Sequence, residues 1–248
     1  MDMHTVVSSP LLLVALLIPL AGALAVAALA LPGRNLPPWA LLPLSLAAAM
    51  AAGALWSGIA AFLKVRRNVP EVIGTIMLNF LAINLVAALI HGPLQETSRA
   101  YPQTQELPAA AQLARLMPPT RLHAGIVVVA AAAVVVGVWS SRTVHGYRVR
   151  MAGLNPRAAE AAGFGVDRLV WQAFLMSGAL AGLGGAVELM GVTHVVSASF
   201  SPGWGYTAIA VALLGGLQPV GIALAALLFG ALDAGASAME SQAGVSHV

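Results

Sequence analysis

The chain has 248 residues, 59% of them hydrophobic and 8% charged, with a net charge of +3 and a mean hydropathy of +0.87. A water-facing globule carries about 25% charged residues, so lipid must be the solvent for most of this surface. The absence of cysteine excludes disulfides, thiolate nucleophiles and cysteine metal sites, and the basic residues fall in short runs between apolar segments, which excludes a nucleic-acid-binding face.

A crossing needs roughly 20 apolar residues. The first candidate is residues 11–31. The ten residues before it carry Asp2 and His4 but no Lys or Arg. A signal peptide has a basic start and an apolar core of only about 7–15 residues, so this run reads as a span, ended by Pro32-Gly33-Arg34-Asn35. A second span is expected over 39–63 and a third over 72–90. A proline-rich polar stretch, 92–121, follows. The fourth span covers 122–139, a second polar stretch covers 140–168, and the fifth span covers 169–191. The run 204–216 is too short to cross. Gln218-Pro219 interrupts it before a sixth span over 220–238. The expected fold is all-α, one transmembrane domain over 1–248, with about six spans and one short broken or re-entrant helix.

Lys and Arg mark cytoplasmic connections. Lys64, Arg66 and Arg67 crowd the second connection, and Arg142, Arg148, Arg150, Arg157 and Arg168 the fourth. The longer third has Arg99, Arg115 and Arg121, and the first only Arg34. Alternation then puts 92–121 outside, 140–168 inside, and both chain ends in the cytoplasm of an inner-membrane protein. Gly178 and Gly182 form a small-xxx-small pair, as do Ala54 and Gly58. Such spacing lets helix backbones approach, although in a chain this rich in Ala and Gly single pairs also arise by chance.

Residues 140–168 contain a short helix with readable ends. Asn155 is a good N-cap, Pro156 suits the first helical position, and Gly163 suits the stop. The rod between them, with Arg157, Ala158, Ala159, Glu160, Ala161 and Ala162, is about 10 Å long. It suits docking into a partner's groove, and a plain surface turn is the alternative. Broken apolar helices often line the paths of transporters, which singles out Gly215 and Pro219. Polar residues inside spans are costly in lipid. Thr75 and Asn79 share a face and Asn84 lies on another, so these could meet a polar, uncharged solute or hold helices together. Asp233 and Glu188 would serve a proton-coupled carrier. The six histidines show no i,i+4 pair, no metal site is expected, no catalytic grouping is present, and no G-x-x-x-x-G-K-[ST] phosphate loop occurs.

Gly146, Arg150, Gly153, Asn155, Ala158, Ala159 and Gly163, followed by Arg168, resemble the cytoplasmic coupling segment of ABC-importer permeases of the branched-chain amino acid, ribose and nucleoside type. Ser177, Gly178, Ala181, Gly182, Gly184 and Gly185 resemble the family's next span, with Gly184 shifted in register. Ile209-Ala-Val-Ala-Leu-Leu-Gly215, Pro219-Val-Gly221 and Leu228-Phe-Gly230 are similar to its later motifs. Glu71-Val-Ile-Gly-Thr-Ile-Met-Leu-Asn79 is similar to a string of its nucleoside and simple-sugar branch. The resemblance covers roughly residues 37–240. It implies a permease subunit, not an enzyme, that moves a nucleoside or simple sugar by alternating access. Gly153, Asn155, Pro156, Arg157, Ala158, Ala159, Glu160 and Gly163 would couple it to a partner ATPase. That partner would bind ATP and magnesium, and this chain would hold no cofactor. The further implied partners are a second permease subunit, an extracytoplasmic solute-binding protein and membrane lipid. Nothing in residues 1–10 matches the family's N-terminal N-I-G-x-E-G-Q motif, and Ala243-Gly244-Val245-Ser246 stands where a further span is usually introduced, so the chain is expected to be a member shortened at both ends. The rival readings are an ion-coupled secondary carrier and a non-transporting scaffold.

Overall fold

The computed structural model describes residues 18–30, 37–96, 101–117, 122–197, 200 and 204–243. The first part of the expected first span, the turn after it and most of the Ala243-Gly244-Val245-Ser246 match lie outside them. The described helices are α1 (Ile18–Ala30), α2 (Pro38–Arg67), α3 (Glu71–Ile90), α4 (Gly125–Arg142), α5 (Val144–Leu154), α6 (Pro156–Ala161), α7 (Val166–Glu188), α8 (Trp204–Leu214) and α9 (Pro219–Ala243). Five helical stretches, spanning α2, α3, α4, α7 with its extension, and α9, are long and apolar enough to cross a membrane. The chain is a polytopic membrane helix bundle.

Three helices make the centre. α2 and α7 pack along much of their length, and α1 lies against both. Their crossing is set by glycine. A Cβ on Gly178 would overlap Ser57 and the Gly53 backbone oxygen, and one on Gly182 would overlap the Ala49 oxygen. A Cβ on Gly22 would in turn overlap the Gly182 backbone. The spaced glycines expected to permit close approach therefore do so, with backbone against backbone. Ser57 Oγ fills the remaining polar gap, donating across the crossing to the Phe174 carbonyl at 2.8 Å.

One end of the bundle is basic. α2 runs past its expected end through Lys64, Arg66 and Arg67, which sit in its last turn, where cations oppose the negative end of the helix dipole. The chain turns at Asn68 (φ 55°), and Glu71 opens α3. Lys64 and Glu71 form an ion pair across this turn, and Lys64 Nζ lies 5.9 Å from the centre of the fully buried Phe174 ring of α7. The pair was not read from the sequence, although seven residues across a tight helix–helix turn is a spacing that allows it.

The opposite end is capped by the third connection, which the sequence left as a proline-rich loop. Thr104 N–H donates to the Val196 carbonyl and Val196 N–H to Thr104 Oγ1, both at 3.0 Å. Leu107 N–H reaches the His194 carbonyl and Leu113 N–H the Met190 carbonyl. Leu107, Ala111 and Leu113 thereby join α1, α2, α3 and the end of α7 in the largest apolar cluster. α7 overruns its last α-turn into a π-turn, Leu189–Thr193. Residues 122–124 are drawn into this cap through Leu116–Leu122 and Ala124–Ala114 backbone bonds. The fourth span therefore begins at Gly125 rather than at 122.

His123 sits in the cap with its Nδ1 accepting from Gly125 N–H at 3.1 Å. Burial, and then the neighbouring His194, hold its pKa below the ordinary 6.5. A histidine lowered in the folded state favours folding above its unfolded pKa, and that contribution is lost as pH falls through the folded value. Thermal unfolding in detergent should therefore move to lower temperature as pH drops below 6.5, and a His123→Gln chain should show a flatter dependence.

Candidate functional site

The polar connection between α4 and α7 is two helices, not one. Thr143 caps α5: its Oγ1 accepts from Gly146 N–H at 3.0 Å and donates to the Trp139 carbonyl at 2.6 Å. Gly146 is required at this corner, because a Cβ would overlap the backbone of Trp139 and Ser140. The sequence reading missed α5. Its signal was a capping Thr143 and no proline before Pro156, hidden by mixed polarity.

α6 has the ends its sequence predicts. Asn155 Oδ1 accepts from Ala158 N–H at 3.1 Å, Pro156 occupies the first turn, and Gly163 takes φ +79°. Ala162 and Gly163 N–H close back on Ala158 and Glu160, and Phe164 N–H reaches the Ala159 carbonyl. Six residues cannot hold a helix alone, so tertiary contact must. Ala159 supplies it, buried with Ala152 of α5 and Leu169 of α7 and flanked by Val149, Phe164 and Val166. Arg148 lies 5.6 Å from the centre of the Phe164 ring.

The eight residues singled out for coupling thus separate into two groups. Ala159 faces the bundle. Gly153, Asn155, Pro156, Arg157, Ala158, Glu160 and Gly163 are exposed, with Leu154 standing out beside them. The result is a small capped rod, seated at the start of α7, at the same end of the bundle as Lys64, Arg66 and Arg67.

The residues singled out for a path are not gathered in one place. Thr75 Oγ1 donates to the Glu71 carbonyl at 2.7 Å, and Asn84 Nδ2 to the Phe80 carbonyl at 2.7 Å. Both bond their own helix, as short polar side chains in helices often do. Asn79 differs, because its Oδ1 is buried with no partner among the described residues. Gly215 and Pro219 lie at the break between α8 and α9. The Gly215 backbone packs against that of Gly221 and Ile222, leaving no room for a side chain. Gly216 (φ 62°) and Leu217 (φ 59°) turn the chain, and the left-handed region costs Leu217 about 1–2 kcal/mol. Pro219 rests on Gly137 of α4. Of the two residues a proton-coupled carrier would use, Asp233 is exposed on α9 and Glu188 is half-buried at the end of α7. Among the described residues no three His, Asp or Glu side chains gather as a metal site would require.

Residues 7–247 match the family described as branched-chain amino acid transport system / permease component. A glucose ABC transporter permease protein of Haloferax volcanii is 39% identical over 221 residues, covering 85% of this chain and 58% of that protein. A guanosine ABC transporter permease protein of Bacillus subtilis is 38% identical over 84% of this chain and 61% of its own length. A nucleoside ABC transporter permease protein of Lactococcus lactis subsp. cremoris is 34% identical over 86% and 61%. The chain therefore spans about three fifths of these curated relatives. No solved structure matches it.

Proposed function

The chain belongs to the branched-chain amino acid transport system permease family, and on that premise we propose that it is the transmembrane subunit of an ATP-driven importer, coupled to a separate ATPase through α6. The observation that carries the reading is the exposure of Arg157, Ala158 and Glu160 on a capped rod whose Ala159 is locked against α7. A partner that moves α6 moves α5 and the start of α7 with it, and α7 runs through the glycine crossing at the centre of the bundle. A tilt there would switch access from one side to the other.

The solute is a nucleoside or simple sugar. Relatives named for glucose, guanosine and nucleosides support this. The buried Asn79 Oδ1, without a partner among the described residues, supports a polar contact on α3, whereas Thr75 and Asn84 bond their own helix and Gly215 and Pro219 lie at the break between α8 and α9. A branched-chain amino acid fits less well, because its carboxylate calls for a cationic partner inside a span. Ion-coupled carriage fits less well too, since Asp233 stands on an exposed face and Glu188 is the last residue of α7, next to the cap rather than within the bundle. The other partners are a second permease subunit and an extracytoplasmic solute-binding protein, and ATP with magnesium is held by the ATPase alone.

The basic end carrying Lys64, Arg66, Arg67 and α6 is cytoplasmic by charge, which places α1's first residues on that side and the cap formed by residues 101–117 and 122–124 outside. The cytoplasmic C-terminal end expected from the sequence requires α8 to be a half-crossing and α9 to start on the outer side. The seating of Pro219 on Gly137, in the Arg142 half of α4, favours a second reading for that end alone. In it α8 carries the chain to the basic end and α9 returns. The test of function is the reconstituted complex of this chain with its ATPase, second subunit and binding protein. Guanosine or glucose delivered by the binding protein should raise ATP hydrolysis several-fold. Hydrolysis that ignores both solutes and follows a proton gradient would overturn the reading.

A further inference from the structure

A cleft of about 1260 Å³ opens between the Arg142 end of α4, the last turn of α5 and the break between α8 and α9. Its character is divided. Val134 and Val138 of α4 and Val220 and Ala223 of α9 give it apolar lining, while Arg142, Arg150 and Gln218 give it polar lining. Among the described residues the Lys64–Glu71 contact is the ion pair formed, so neither arginine has a carboxylate partner. Gln218 and Pro219 also place the first turn of a 25-residue helix at the cleft, where leading N–H groups carry positive partial charge.

An uncharged nucleoside or sugar needs no paired guanidiniums, so the charge points away from the transported solute and toward a phosphate. The walls point to what carries it. α4 and α9 leave most of their apolar surface outside the bundle: Val127, Val134, Val135 and Val138 on one, Val220, Leu224, Leu227 and Leu228 on the other. A free phosphate would gain nothing from these faces, whereas acyl chains would cover them. We propose that this cleft seats the headgroup of an anionic phospholipid, its phosphate held by Arg142 and Arg150 over the first turn of α9 and its chains lying along α4 and α9. Basic clefts at the ends of membrane helices suit such headgroups. The inference rests on the membrane embedding of the chain and on no transport activity; only the leaflet depends on the proposed sidedness.

The experiment is native mass spectrometry of the full chain in neutral detergent with phosphatidylglycerol or phosphatidylcholine. Phosphatidylglycerol should be retained in preference. A chain carrying Arg142→Gln and Arg150→Gln should lose that retention by about tenfold. A chain carrying Arg66→Gln and Arg67→Gln, with the same charge lost from the end of α2, should keep it. Both arginine pairs are exposed, and matched thermal unfolding without lipid confirms that folding is intact. A photoactivatable phosphatidylglycerol gives an independent reading, with adducts expected in residues 133–142 and 216–223. Equal loss in the two double variants, no loss in the first, adducts elsewhere, or displacement by inorganic phosphate at equal concentration would each overturn the proposal.

Discussion

Replacing Gly182 with leucine should leave no stably assembled bundle. Gly182 lies where α1, α2 and α7 meet, and its missing side chain is occupied by the Ala49 oxygen and the Gly53 Cα. On the other side Gly22 packs directly on the Gly182 backbone. Overpacking a core of side chains costs about 1–3 kcal/mol because neighbouring rotamers can shift. Here the neighbours are backbone, so α2 must move away from α7 as a body. That movement separates Gly178 from Ser57 and breaks the Ser57–Phe174 bond. The expected result is loss of the monodisperse species in size-exclusion chromatography in detergent. Gly184 is the control. It belongs to the same glycine-rich stretch, yet a Cβ there meets nothing within 4 Å, so Gly184→Leu should behave as the parent chain. Equal behaviour of the two variants would show that the crossing is not what holds the bundle.

Replacing Ala158 with tryptophan should uncouple the ATPase while leaving this chain folded. Ala158 is exposed on α6, so the indole meets solvent in the isolated chain. In a docked complex it occupies the space where the proposed groove approaches the rod. Interface positions of this kind cost about 2 kcal/mol or more, roughly thirtyfold in affinity. Co-purified ATPase should fall accordingly, with unchanged thermal unfolding of the permease. The adjacent residue shows why the choice of position matters. Ala159 is buried against Ala152 and Leu169, so Ala159→Trp would unseat α6 itself and its effect on coupling would report on folding. Retention of the ATPase by the Ala158→Trp chain at parental levels would mean that α6 is not the docking element.

Local signals in the sequence reached the structure well where one residue type is demanded by backbone geometry. Asn155, Pro156 and Gly163 specify the ends of α6, and the glycine pair at 178 and 182 specifies a close crossing. The break at Gly215 to Pro219 was legible for the same reason. Contacts made across the chain were not. Nothing in the pattern around Thr104 reveals that it bonds Val196, ninety-two residues away. The burial of Ala159 depends on α5, whose mixed polarity gave no periodic face. Spans were legible as lengths but not as neighbours: α4 and α9 read as apolar as α2 and α7, yet only the latter pair carries the core. Polar residues in spans were the weakest guide, because Thr75 and Asn84 satisfy themselves on their own helix.

The absence of native cysteine allows the sidedness of α6 to be read from a single introduced thiol. Glu160→Cys places it on the exposed face of the rod. A membrane-impermeant maleimide should leave it unlabelled in intact cells and label it in inside-out vesicles, and bound ATPase should protect it. Labelling from the outside of intact cells would put the rod on the wrong side of the membrane for any nucleotide-hydrolysing partner and contradict the account.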